Sequence, residues 1–213
     1  MMEGLPRPQD LELVEGVMEM VRDRPAFPSI PVAWFRFDGP LQPASGESPL
    51  AALPSSAVQL IDVDPTSPLR GTRYPTMVRT LEPDAYVPDN LLAVAPWPGV
   101  VLPASRRYAI VITRAFGDSH GEPLGVPLAL RELIEGRTPD AAMGELARVL
   151  FQDLWDTLAQ EGGSLEGIAA ATLFSVGDVV RDLYTLSEEV RVHHDARIEG
   201  LELRAEEADI YPR

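Results

Sequence analysis

The distribution of proline constrains this chain more than any other feature. Its 213 residues include 21 prolines, and most of them precede residue 130. Proline lacks a backbone donor and clashes inside a helix, but it is tolerated at strand ends, edges and turns. The first half is therefore expected to be short strands parted by turns, with the longer helices placed after residue 130. Strands spaced in this way by Pro and Gly turns suggest a β-sandwich.

Hydrophobic periodicity fills in that outline. Residues 1–26 contain LELVEGVMEMVRD, where Leu11, Val14, Val17, Met18 and Val21 recur at helical spacing and Pro25 offers a stop. From Pro31 to Asp38 the period becomes two: Val32, Trp34 and Arg36 share one face, and Ala33, Phe35 and Phe37 the other. Gly39-Pro40 ends this strand, and residues 42–56, rich in Pro, Ser, Ala and Gly, are read as a loop. Further strands are expected at 57–63, 76–80, 90–95 and 108–113. The first is closed by the turn Asp64-Pro65-Thr66-Ser67-Pro68, and the last runs into Gly117-Asp118-Ser119-His120-Gly121.

The second half changes character. Leu128–Ile134 reads as a short helix. Thr138-Pro139 is a suitable N-cap and first-turn pair for a longer one, with Met143, Leu146, Ala147, Leu150, Leu154 and Leu158 along one face and Gly162-Gly163 as its end. Residues 168–175 (IAAATLFS) are short and apolar and are assigned to a buried strand returning to the sandwich. Gly177-Asp178 opens a last helix whose apolar side carries Val179, Val180, Leu183, Leu186 and Val190.

Composition removes several function classes. All 18 basic residues are Arg, which fits a GC-rich genome and excludes a Schiff-base lysine, a P-loop lysine and a Ser-Lys dyad within these residues. The absence of Cys excludes disulfides, thiolate metal sites and Cys nucleophiles. A formal net charge of -15 with scattered arginines opposes nucleic-acid binding, and no apolar run approaches the ~20 residues of a membrane-spanning helix. The opening MMEGLPRPQDLELVEG has neither the basic nor the apolar region of a signal peptide, and the closing ADIYPR has no turn or cap. The expectation is a piece of a longer protein.

Three passages taken together resemble bacterial Ig-like domains. Val32–Leu41 (VAWFRFDGPL) is similar to their opening strand. Leu102–Leu124 (LPASRRYAIVITRAFGDSHGEPL) resembles their Leu-Pro turn, Tyr-led strand and Asp-x-x-Gly-x-x-Leu hairpin, and Ala171–Asp178 (ATLFSVGD) resembles their closing strand. The N-terminal region of bacterial virulence-factor lipases and related large secreted esterase-like proteins places a helical insert between the second and third passages, as this chain does, and AVQLIDVDPTSPLRG is similar to a further strand of that branch. Ser175-Val176 departs from the usual Thr-Thr. The resemblance implies an extracellular or cell-envelope accessory module, with a downstream α/β-hydrolase domain in the same parent chain as its partner.

Gly162-Gly163-Ser164-Leu165-Glu166-Gly167 comes nearest to a nucleophile elbow, but Glu166 stands at the position of its last Gly, and it follows a helix rather than a strand. His193-His194-Asp195 offers zinc donors with no evident third and fourth ligand, because adjacent helical residues point about 100° apart. Asp62 with Asp64, and Asp118 with His120 and Glu122, offer donors for Ca²⁺ without the spacing of an EF-hand loop. Trp34, Phe35, Phe37, Trp97 and Tyr108 are expected in the core, with Trp97, between two prolines, the one to inspect for exposure. Glu188, Glu189, Glu202, Glu206 and Glu207 are read as a solvated face and not as a glycosidase pair.

These readings converge on a mostly β fold with an α insert. The expected fold is an Ig-like antiparallel β-sandwich over residues 27–125, closed by a strand at 168–176. A helical insert at 126–167 precedes that strand, and helical segments at 1–26 and 177–213 flank the whole. No catalytic residue, cofactor or metal site is assigned. The expected function is a non-catalytic accessory module; the alternatives are a calcium-, carbohydrate- or protein-binding module, or a hydrolase with a non-standard site built on Asp118, His120 and a Ser.

Overall fold

A computed structural model describes residues 12–22, 26–141 and 143–194. The chain divides into two compact units, residues 1–177 and 178–213. The first contains α1 (Glu12–Arg22), β1 (Ala33–Arg36), β2 (Val58–Asp62), β3 (Arg73–Tyr74), β4 (Thr76–Thr80), β5 (Leu91–Pro96), β6 (Arg107–Thr113), α2 (Leu128–Ile134), α3 (Gly144–Gln160) and β7 (Ile168–Ser175). The strands form two antiparallel sheets, ordered β1-β5-β4 and β3-β2-β6-β7. They are packed in a β-sandwich-like arrangement with helices added.

Strand alternation explains the core. Phe35, Val78, Leu92 and Val94 of the three-stranded sheet meet Val58, Leu60, Tyr108, Ile110, Ile112 and Phe174 of the four-stranded sheet. The opposite face of the larger sheet is also covered: Ile61, Ala109, Val111 and Ile168 pack with Leu130 and Leu133 of α2 and with Leu154, Trp155 and Leu158 of α3. Strands β2 and β6 are thus buried on both faces, which is why β6 carries the continuous run Tyr108–Ile112 instead of an alternating pattern. The unit has three layers: sheet, sheet and helices.

A polar seam holds the helical layer in register. Asp153, Thr157 and Glu161 recur every four residues and share one side at the C-terminal end of α3. Arg70 Nε donates to Thr157 Oγ1 at 2.9 Å, and its Nη2 donates to the Asp153 carbonyl at 3.2 Å. Arg73 forks onto both oxygens of Glu161, at 3.0 and 2.6 Å, while Arg107 pairs with the Asp153 carboxylate.

Several expectations need correction. Helix α3 begins at Gly144 and not at Thr138-Pro139; Met143 is its N-cap residue and supplies no side-chain cap bond. The Thr138 hydroxyl instead donates to Glu145 Oε2 at 3.0 Å. A Cβ on Gly144 would collide with the Pro139 carbonyl oxygen, so the turn and the helix approach as only glycine permits. The buried side of α3 runs through Ala147, Phe151, Leu154, Trp155 and Leu158, leaving Met143 and Leu146 exposed. Strand β3 was not anticipated. The 42–56 loop is partly paired, with bridges Ser45↔Arg79 and Leu50↔Thr76 covering the outer edge of β4. In α1, Met18 is buried but Val17 is 44% exposed; Leu11, Pro25 and the Val21 side chain lie outside the described residues.

The second unit contains α4 (Val179–His193), where Asp178 Oδ1 accepts from the Arg181 amide at 2.9 Å as an N-cap. Val180, Leu183, Leu186 and Val190 of the expected apolar side are all exposed. The Val179 side chain lies outside the described residues.

Candidate functional site

A cleft of about 620 Å³ lies between the end of β1 and the start of β7, roofed by the 118–127 segment. Phe35, Phe37, Asp118, Ser119, His120 and Ala170 are among the residues that line it. The structure therefore brings Asp118, a Ser and His120 to one place, as a hydrolase built on them requires. Their bonding is that of a turn. Asp118 Oδ1 accepts from the amides of Glu122 and His120, at 2.9 and 2.8 Å, and the Gly121 amide reaches the Asp118 carbonyl at 3.0 Å. The first two bonds hold the Asp118 carboxyl below its ordinary pKa, whereas a general base for neutral pH needs the opposite displacement. Ser119 and His120 are exposed, and neither side chain hydrogen-bonds to Asp118 among the described residues. The Asp118 carboxylate closes the hairpin that Leu41 joins through an antiparallel bridge to Asp118.

Asp62 and Asp64 also organise backbone. Asp62 is fully buried: Oδ1 accepts from the Asp64 amide at 3.1 Å, and Oδ2 accepts from the Ser67 hydroxyl at 2.6 Å with Arg106 Nη1 at 3.5 Å. Asp64 Oδ1 takes the Thr66 amide and hydroxyl, and Oδ2 takes the Arg107 amide at 3.1 Å. Partial burial works against the Asp64 charge, but the bonds from Thr66 and Arg107 outweigh it and hold its pKa below the ordinary value. All four oxygens face protein donors, so the pair organises the turn that contains Pro65 and Pro68. Next to Asp62, burial raises the pKa of the Tyr108 and Tyr74 phenols, with the charge of Asp62 adding to it. The Tyr108 hydroxyl donates to the Pro103 carbonyl at 3.1 Å.

The remaining candidates are dispersed. Ser164 lies in an exposed turn, where its hydroxyl accepts from the Glu166 amide at 3.3 Å. His193 Nδ1 bonds the Glu189 carbonyl at 2.8 Å at the end of α4, His194 is exposed beyond it, and Asp195 lies outside the described residues. Glu188 pairs with Arg191 at 2.7 Å, Glu189 is exposed, and Glu202, Glu206 and Glu207 lie outside the described residues. Among the described residues no three His, Asp or Glu side chains cluster to hold a metal ion.

The aromatic residues separate in a way the sequence left open. Tyr108 is buried, and Phe35 and Phe37 pack against the core. Trp97 is half-buried on a turn, with its amide on the Pro75 carbonyl at 2.9 Å. Trp34, expected in the core, is exposed at 37%. Its parity on β1 directs it away from Phe35, to the outer face of a sheet edge. The exposed tryptophan is therefore Trp34 and not Trp97. No protein-family model, curated protein or solved structure matches this chain.

Proposed function

We propose that this chain is an Ig-like accessory module of a larger extracellular or cell-envelope bacterial protein, and that it positions a hydrolase domain in the same parent chain. The observation that carries this reading is where the resembling passages fall. AVQLIDVDPTSPLRG supplies β2, Leu102–Leu124 supplies β6 and its hairpin, and Ala171–Asp178 ends β7; these are consecutive neighbours in one sheet, with α2 and α3 inserted between the last two. Val32–Leu41 supplies β1 and joins the hairpin through the Leu41↔Asp118 bridge. Asp62, Asp64, Asp118, Asp153 and Glu161 bind backbone amides or arginines that join the layers, which suits a rigid spacer.

The test uses the whole gene product. Excising residues 26–177 should lower the yield of folded secreted protein while a retained hydrolase domain still turns over a soluble short-chain ester. The isolated chain should leave that ester intact. Ester hydrolysis by the isolated chain, or a parent reading frame without a hydrolase domain, would overturn the proposal.

A further inference from the structure

The outer face of the three-stranded sheet carries an unusual set of side chains for a chain of net charge -15. Among the described arginine side chains, only those of Arg36 and Arg79 make no ion pair or hydrogen bond with described residues; every other one is engaged. Both lie on this sheet. The register places Trp34 and Arg79 on either side of Ala93, and Arg36 two residues along β1 from Trp34. Trp34, Arg36 and Arg79 are all exposed, and the residue between Trp34 and Arg79 in the register is the small Ala93. Ordinary sheet spacings put Arg36 about 7 Å and Arg79 about 10 Å from Trp34 at the level of the backbone.

We infer that this face is a binding platform for an acidic polysaccharide whose residues carry carboxylates, such as a linear polyuronate. A flat indole offers a surface for the apolar face of a pyranose ring. Guanidinium forks at two distances from it match carboxylates borne by successive sugars. Charge complementarity selects the occupant: two exposed guanidiniums without an intramolecular partner favour an anionic ligand. Duplex DNA, with a charge every ~1.7 Å, and an anionic membrane present charge far denser than two arginines can offset against the net negative field. Asp38, two residues beyond Arg36, makes no ion pair with it and so leaves it available. This inference goes beyond the accessory role and does not depend on a hydrolase partner.

Native affinity electrophoresis of the purified chain tests it. Gels containing polygalacturonate should retard the protein, and gels containing the same polymer fully methyl-esterified should not. Trp34→Ala, and separately the double variant Arg36→Gln/Arg79→Gln, should each weaken the interaction by about tenfold. Melting temperature should be unchanged, because all three side chains are exposed; Trp34→Phe should recover part of the loss. Absence of retardation overturns the inference, as does retardation that the Arg36→Gln/Arg79→Gln variant leaves intact. Equal retention by DNA, polyglutamate or anionic phospholipid vesicles would also overturn it and assign the face to another class of partner.

Discussion

At the scale of single residues, Asp62 decides the most. Its carboxylate is sealed from water, accepts from the Ser67 hydroxyl and the Asp64 amide, and faces the charge of Arg106 at 3.5 Å. Asp62→Ala removes one charge and strands the other, so unfolding titrations should show a loss of about 3–5 kcal/mol. Asp62→Asn keeps the shape and part of the hydrogen bonding, and should cost clearly less. The neighbouring phenols give a pH signature. Tyr74 and Tyr108 have folded-state pKa values above the ordinary value of 10.0, chiefly through burial. The folded state therefore holds these protons more tightly than the unfolded state. Their contribution is complete below about pH 10 and is lost as pH rises through the folded values. Phenolate absorbance should show Tyr74 and Tyr108 ionising only as the fold melts, in step with the loss of secondary structure seen by circular dichroism. If both ionise while the protein is still folded, the burial argument fails.

At the scale of elements, the seam between α3 and the sheet separates ion pairs that matter from ion pairs that do not. Arg73 is 8% exposed, forks onto Glu161 and also donates to Gln59 Oε1 at 2.8 Å. A double-mutant cycle on Arg73 and Glu161 should give a coupling of about 1–3 kcal/mol, and Arg73→Lys should recover little of it because a single ammonium cannot fork. The pair Arg148 and Glu145, exposed on the same helix, should show no measurable coupling. The contrast was hidden in the sequence. Helical periodicity identified α3 and its end at Gly162, but four-residue spacing alone cannot say that Asp153, Thr157 and Glu161 would meet arginines from 46 to 88 residues earlier in the chain. Trp34 is a second case. The alternation of β1 was legible, yet which of its two faces would meet the core depended on β5 and on the opposing sheet.

At the scale of the whole molecule, the helical insert is a structural layer and not an ornament. Ile61, Val63, Ala109 and Val111 face α2 and α3, so removing those helices leaves an apolar sheet face in water. The chain ends that would be rejoined are close, since Arg114 bonds both sides: its amide donates to the Gly167 carbonyl at 2.7 Å and its carbonyl accepts from the Leu124 amide at 3.0 Å. Replacing residues 126–167 by a short Gly-Ser linker is thus feasible in geometry and should still fail: the product should aggregate or bind a hydrophobic dye in the manner of a loosely packed state. A monomeric variant with a sharp melting transition would show that the two sheets suffice alone.

The sequence by itself determined most of the strands and helices, though not β3 or the start of α3, because proline placement and short-range periodicity act through neighbours a few residues apart. It also determined that lysine and cysteine chemistry are absent from these residues. Tertiary structure alone decided that β2 and β6 would be covered on both faces, and that Trp34 would stand outside with Arg36 and Arg79. Those outcomes depend on partners far along the chain. A carboxylate or an indole carries the same local signal whether the fold turns it toward a protein donor, a packed core or water.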